Sequence, residues 1–393
     1  MFIEDSSKMG GVQHTTLLFA DYLSFSGKYE IETLLPNSGP FSDLLKQNLI
    51  STSFYYPLSY WSTSISLFND QLRIPNPMAW IWNIFAIIFN IFTVKRNIDP
   101  KTELVISKGL LNHFTSGIAC KILKIPVICH LQDLISDRYF GFSKMIFNQF
   151  ATHLPTFIVC DGRLIQTSLG KNNKLKSSVI INGINTENLK RDIESGLKIR
   201  QEFNIPQNAY IIGHVARMTP WKGQFQLLKS FIEYASQNSN SYLMLIGKPI
   251  FDKDDYFISL KRMIKDMSLN HRIIMPGYRN DLQSLFSAMD LFLYPSLEKD
   301  TSPLALISAI SSGLPVGMST IDSLSEIAEK CHSIDLFNPF KTEEMISIMR
   351  KYESTNKREK TGIQNSEFGK QNFDIMTHTK ELEMIIEQVY KGN

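Results

Sequence analysis

The sequence predicts an α/β protein of two doubly wound, parallel-sheet domains in succession, and three observations predict it. The chain has 393 residues, enough for two domains at ~150 residues each. In its second half short apolar runs alternate with amphipathic stretches, the pattern of βαβ units with helices on both faces of a sheet. The first half repeats that alternation more loosely.

Taken in order, a short first strand precedes the pair Gly10-Gly11, and 31–35, 103–107, 126–130 and 157–160 read as further strands. Helical stretches fall near 15–24, 116–123 and 143–151. The polar stretch 185–208, after the Asn182-Gly183 turn, holds the expected domain boundary, giving domains 1–190 and 191–374. In the second domain 210–213, 242–247, 272–275, 290–294 and 314–316 read as buried strands, with Phe225, Leu228, Ile232 and Ala235 repeating at helical spacing between them. Residues 351–373 read as a charged, turn-rich tail, and 375–393 as a final helix expected to pack back on the first domain.

A hydrophobic fraction of 43% with 20% charged residues excludes disorder, and a net charge of +3 excludes a nucleic-acid-coating protein. The charge is uneven: residues 1–200 carry 20 basic and 15 acidic side chains, and residues 201–393 carry 21 and 23. Pairing a basic half with aromatic and apolar segments points to an anionic membrane surface. Cys120, Cys129, Cys160 and Cys331 form no CxxC or metal pattern, which suits a reducing cytoplasm, and Met1-Phe2-Ile3-Glu4-Asp5 lacks the basic opening of a signal peptide. The segment 78–94 is apolar but short for a span at ~20 residues, and it carries Asn83 and Asn90. It reads as a buried or half-buried helix, as a helix in the membrane interface with Trp80 and Trp82 at headgroup level, or as a span. The aromatic run 54–61 (FYYPLSYW) fits either membrane contact or ordinary packing.

Open α/β sheets bind ligands beyond the carboxyl ends of their strands, so the strand-to-helix loops carry the candidate chemistry. Gly10 and Gly11 let a ligand approach the backbone at a helix N-terminus, whose free amides suit a phosphate. Arg217 and Lys222 leave the first strand of the second domain on one loop, where a guanidinium fork and an ammonium can grip a diphosphate. Glu298 and Asp300 precede another helix, placed either to accept hydrogen bonds from sugar hydroxyls or to complement the helix dipole. Thr301, Ser302 and Leu304 lead into that helix, with Pro303 removing one amide. The GxGxxG fingerprint and the Walker A lysine pattern are absent, which argues against a dehydrogenase or P-loop ATPase.

The order of seven segments resembles that of family-4 glycosyltransferases of the GT-B fold, in which two Rossmann-like domains face a central cleft. The segments are GGVQ at 10–13, Cys129-His130-Leu131-Gln132-Asp133, Ile181-Asn182-Gly183-Ile184, Arg217 to Lys222-Gly223, Pro276-Gly277-Tyr278-Arg279-Asn280-Asp281, the run 288–296, and Ser312-Gly313-Leu314-Pro315-Val316. The resemblance implies transfer of a sugar from a nucleotide-diphospho-sugar, UDP- or GDP-linked, with retention and without a metal ion or other cofactor. It implies that Arg217 and Lys222 clamp the donor diphosphate, that Gly10 and Gly11 form the glycine loop, that His130 faces the donor sugar, and that Tyr278 and Arg279 lie against the base. An alternative for His130 is an ordinary strand-end histidine.

Where the family has two glutamates eight positions apart, this chain has Asp300 and Ser308. Replacing a carboxylate by a hydroxyl at the ribose weakens binding by about 1.5–3 kcal/mol. The expectation is a cytoplasmic hexosyl- or N-acetylhexosaminyl-transferase, peripheral on the inner face of the cell membrane. Its acceptor is lipid-linked or a polysaccharide, in exopolysaccharide, capsule or lipopolysaccharide synthesis. The alternatives are a catalytically weak GT-B partner of an active transferase, supported by Ser308, and a GT-B nucleotide-sugar epimerase.

Overall fold

Parallel strands buried on both faces appear in sequence as continuous apolar runs, and such runs supply most strands of the structure. A computed structural model describes residues 1–392 except 68–71, 135–141, 250–253, 266–268 and 299. The chain divides into two compact units, Met1–Ile181 with Thr379–Asn393, and Asn182–His378. The first thus ends before the polar stretch in which the sequence places the boundary.

The strands of the first unit are β1 (Phe2–Ile3), β2 (Glu32–Leu35), β3 (Ser51–Phe54), β4 (Ser64–Leu67), β5 (Leu72–Pro75), β6 (Val105–Lys108), β7 (Val127–Leu131), β8 (Phe157–Cys160) and β9 (Ser177–Val179). All but the antiparallel hairpin β4–β5 form one parallel sheet in the order β3-β2-β1-β6-β7-β8-β9. The strand order reverses between β1 and β6. Ile3, Leu34, Val105, Val127, Ala119 and Val94 make one core on this sheet; Leu131, Ile158, Cys160 and Phe147 make another. The end of the C-terminal helix, Ile375–Lys391, is tied to this unit by a Lys28–Glu383 ion pair at 2.8 Å and by the Tyr390 hydroxyl donating to Glu103 at 3.4 Å.

The strands of the second unit are β10 (Tyr210–Val215), β11 (Ser241–Ile246), β12 (Ile273–Gly277), β13 (Leu291–Tyr294), β14 (Val316–Ser319) and β15 (Asp335–Phe337). They pair in parallel in the order β12-β11-β10-β13-β14-β15, reversing between β10 and β13. The core gathers Ile212, Leu227, Phe231, Leu243, Leu293 and Met349. Strand β14 starts at Val316, later than the expected 314, because Pro315 has no N–H for the ladder; its carbonyl still accepts from Phe292 N at 3.0 Å.

Three readings of the sequence are corrected. The stretch read as a turn-rich tail is the 18-residue helix Thr355–Asn372. Its glycines serve close packing: a Cβ on Gly369 would stand 2.5 Å from Ser311 Cα, and one on Gly362 would stand 2.4 Å from the Gly313 carbonyl. Asn365 completes the contact by donating to Leu314 O at 2.7 Å. The helix expected near 116–123 spans Leu110–Leu123. The apolar segment 78–94 lies in the helix Pro77–Asn97, of which only a narrow stripe, Ala79, Ala86, Asn90 and Val94, is buried. Of the buried or half-buried reading, only the half-buried form fits.

Candidate active site

In the second unit, the loops after β10 and β13 flank the point where strand order reverses, the place open α/β sheets reserve for ligands. After β10 the chain makes a single 3-10 turn, Pro220–Lys222, and reverses at Gly223 with φ +73° before the helix Gln224–Gln237. A Cβ on Gly223 would lie 1.9 Å from the Pro295 carbonyl oxygen, so only glycine fits both the positive φ and the close approach. Leu297 N donates to Trp221 O at 2.8 Å and Ser296 Oγ to the same oxygen at 3.2 Å, joining the two loops.

This junction sets the cations. Lys222 is nearly buried, and its Nζ donates to the Tyr294 hydroxyl at 2.8 Å and to Asp300 Oδ2. The Tyr294 hydroxyl donates to the same carboxylate oxygen, and Asp300 N donates to Ser323 Oγ at 2.9 Å. Burial, with the Asp300 charge second, holds the Tyr294 phenol well above its ordinary pKa. Arg217 is exposed, and its loop is braced by Gln224 Nε2 donating to Arg217 O at 2.8 Å. Beneath lies His214, whose Nδ1 donates to Leu293 O at 2.9 Å; burial pushes its pKa down to about 4.

The remaining expected residues of this unit fall into distinct settings. Glu298 is exposed, while Thr301 and Leu304 are half-buried. Ser302 adopts φ +44°; its Oγ accepts from Asn182 N at 2.8 Å and its carbonyl accepts from Asn182 Nδ2 at 2.9 Å. Ser308 is buried on the helix Leu304–Ser311. Tyr278 is exposed with Lys248 Nζ 5.3 Å from its ring centre. Arg279 spends its guanidinium on Asp281, at 2.8 and 2.6 Å, and on Glu202, which raises its pKa further.

In the first unit, four adjacent strands each deliver one sealed ionisable group at their carboxyl ends: Glu4 after β1, Lys108 on β6, His130 on β7 and Asp161 after β8. Glu4 accepts from Gln13 Nε2 at 3.0 Å and from the Thr16 hydroxyl; burial pushes its carboxyl up to about 7, against the opposing pull of Lys108. Burial lowers the Lys108 ammonium, whose Nζ sits 5.6 Å from the Phe19 ring centre. Burial, then the Lys108 charge, lowers the pKa of His130, so the imidazole is neutral and its Nε2–H donates to Asp161 Oδ1 at 2.6 Å. His130 Nδ1 and Lys108 Nζ have no hydrogen-bond partner among the described residues. Gly10 caps and Gly11 opens the helix Gly11–Phe25, and both are exposed.

Sequence reasoning missed Glu4, Lys108 and Asp161. The available signal was a single charged residue closing an apolar strand: FIE, VISK and FIVCD. Among the described residues no group of three His, Cys, Asp or Glu is placed to hold a metal ion.

Residues 197–367 match the family model of glycosyl transferases group 1. The chain is 24% identical over 332 residues to the UDP-Gal:alpha-D-GlcNAc-diphosphoundecaprenol alpha-1,3-galactosyltransferase of Escherichia coli, covering 80% of this chain and 77% of that one. It is 25% identical over 177 residues to the O-antigen biosynthesis glycosyltransferase WclY of Escherichia coli, covering 45% and 47%. Among solved structures it resembles Anabaena Alr3699/HepE in complex with UDP-glucose, with a TM-score of 0.80 and 20% identity over 98% of both chains. Residues 197–367 thus match a glycosyl transferases group 1 domain, and the chain has the GT-B fold of two parallel-sheet Rossmann-like domains.

Proposed function

We propose that the chain is a retaining glycosyltransferase that moves a sugar from a UDP-sugar to a lipid-linked or polysaccharide acceptor in cell-surface glycan synthesis. The observation that carries this reading is the paired-cation loop. Lys222 is held by Asp300 and Tyr294, and Arg217 stands in solvent on the same loop. The galactosyltransferase relative takes UDP-Gal and a diphosphoundecaprenol-linked sugar by its name, which supports the donor nucleotide and the acceptor class. A site at the inner face of the cell membrane follows from such an acceptor.

In the proposed reaction the bond from the anomeric carbon to the donor phosphate breaks and a bond to the acceptor oxygen forms on the same face. The acceptor proton passes to the departing phosphate oxygen. Negative charge grows on the leaving diphosphate. Lys222 meets it as a fixed cation and Arg217 as a solvent-exposed one, so no metal ion is required. Lys222 needs no reorganisation, because Asp300 and Tyr294 already fix its Nζ. In the first unit the His130 Nε2–H is held by Asp161 at 2.6 Å, which leaves Nδ1 as the acceptor nitrogen of the ring.

Purified protein is offered UDP-, GDP- and ADP-sugars, with EDTA present and absent, and binding and nucleotide release are measured. The expected result is binding of one UDP-sugar and slow nucleotide release unaffected by EDTA, both lost in Arg217→Ala. Anomeric configuration of the product, read by NMR, tests retention. Ser308→Glu is expected to tighten donor binding about ten- to a hundredfold. A second reading, a weak GT-B partner of an active transferase, draws on Ser308. It takes over if the natural chain binds no donor at millimolar concentration and Ser308→Glu restores binding. Isomerised donor without acceptor would indicate an epimerase.

A further inference from the structure

The helix Pro77–Asn97 is the one helix among the described residues long and apolar enough to cross a membrane. Its outward residues include Trp80, Ile81, Ile84, Phe85, Ile88 and Phe92, all at least half exposed. No charged side chain occurs from 74 to 94. The cost of such a face in water demands an occupant.

The two asparagines on this helix have a specific use. Asn90 Oδ1 accepts from Leu58 N at 2.7 Å while its Nδ2 donates to Leu58 O at 3.0 Å. One turn pair away, Asn83 Oδ1 accepts from Trp61 N at 2.8 Å and its Nδ2 donates to Trp61 O at 2.9 Å. Trp82 Nε1 donates to Ser59 O at 2.9 Å, and the Trp61 and Trp82 rings stack with centres 5.0 Å apart. The helix thus carries residues 58–61 as a strap, with the Leu58 and Trp61 N–H and C=O groups and the Ser59 carbonyl satisfied by the helix. Pairing these groups lowers the cost of placing that backbone near hydrocarbon.

Charge identifies the occupant. Lys95 and Arg96 end this helix, and exposed Lys121 and Lys124 close the neighbouring helix Leu110–Leu123. These helices lead into the adjacent strands β6 and β7, so the four cations share one edge of the sheet, against Asp99 and Glu103.

We propose that the helix Pro77–Asn97 with its strap 58–61 docks flat on an anionic lipid bilayer, its aromatic face in the interface and its basic end on the headgroups. It does not span: the strap and the buried stripe hold it to the first unit. The proposal deepens the reading of a lipid-linked acceptor, and measuring UDP binding alongside keeps the two separate.

The full chain is floated with phosphatidylcholine vesicles, with and without phosphatidylglycerol. Wild type is expected to float with the anionic vesicles and, from cell membranes, to be released by alkaline carbonate. Ile84→Glu with Ile88→Glu is expected to partition at least about tenfold less, with unchanged UDP binding and circular dichroism. Arg96→Glu with Lys121→Glu is expected to abolish the preference for phosphatidylglycerol. The proposal is overturned if wild type floats with neither vesicle, or if the Ile84, Ile88 variant floats as well as wild type. Retention in membranes after carbonate overturns the flat placement. A wild-type dimer that the Ile84, Ile88 variant turns to monomer, with no lipid binding by either, assigns the face to a second copy instead.

Discussion

The two sheets reverse their strand order in the same way, between β1 and β6 in the first unit and between β10 and β13 in the second, yet their carboxyl edges are finished differently. In the second unit the supporting charge is buried and matched, Lys222 by Asp300, while Arg217 is left to solvent. In the first unit four ionisable groups on neighbouring strands are sealed, and Lys108 Nζ and His130 Nδ1 lack hydrogen-bond partners among the described residues. A buried cation held by hydrogen bonds has its geometry fixed, whereas Lys108 meets Glu4 and Asp161 only through their fields. The contrast assigns the preorganised charge of the molecule to the second unit.

The largest expected effect tests that assignment directly. Arg217→Ala should lower kcat/KM about 10²–10³-fold while leaving the thermal midpoint unchanged, since the side chain is exposed. Full activity would break the comparison. Asp300→Ala strands the nearly buried Lys222 and should cost about 3 kcal/mol in urea unfolding at neutral pH.

Titration sharpens the contrast further. The unfolded chain protonates His214 at its ordinary pKa of 6.5, but the folded chain resists until about 4, so its contribution is present above pH 6.5 and lost as pH falls through that window. The difference between wild type and His214→Gln should show a loss of roughly 3 kcal/mol on acidification. Glu4 runs the other way. Its folded carboxyl keeps its proton up to about 7 rather than 4.5, so its contribution falls as pH rises from 4.5 to 7. The smallest effect is Lys108→Met, expected to change stability at pH 6 by less than about 1 kcal/mol, because the ammonium has no hydrogen bond to lose among the described residues. A cost equal to that of Asp300→Ala would erase the distinction between the units.

Much of this organisation was legible because doubly buried strands leave unbroken apolar runs: 210–213, 242–247 and 157–160 each fall on a strand. The positions of Arg217, Lys222, Asp300 and His130 at strand ends followed from those runs. What was not legible depended on partners distant in sequence. The stretch 351–373 read as turn-rich because a sequence does not show the backbone of Ser311 and Gly313 pressed against Gly369 and Gly362. Asn83 and Asn90 read as interruptions of an apolar segment, whereas they are the anchors of a strap some 20 to 30 residues earlier. Lys108 and Asp161 passed unnoticed because one charge at the end of a strand looks like ordinary surface until neighbouring strands enclose it.

The meeting of Gly223 with the Pro295 carbonyl makes the distance between the cation loop and the acid loop a property of the main chain, with no side chain available to adjust it. Transplanting 217–223 alone into a relative would bring a lysine without its carboxylate and a glycine without its carbonyl. Exchanges that aim to change the sugar must therefore move 217–223 and 294–300 as one cassette, or leave both in place and vary the side chains at their rim.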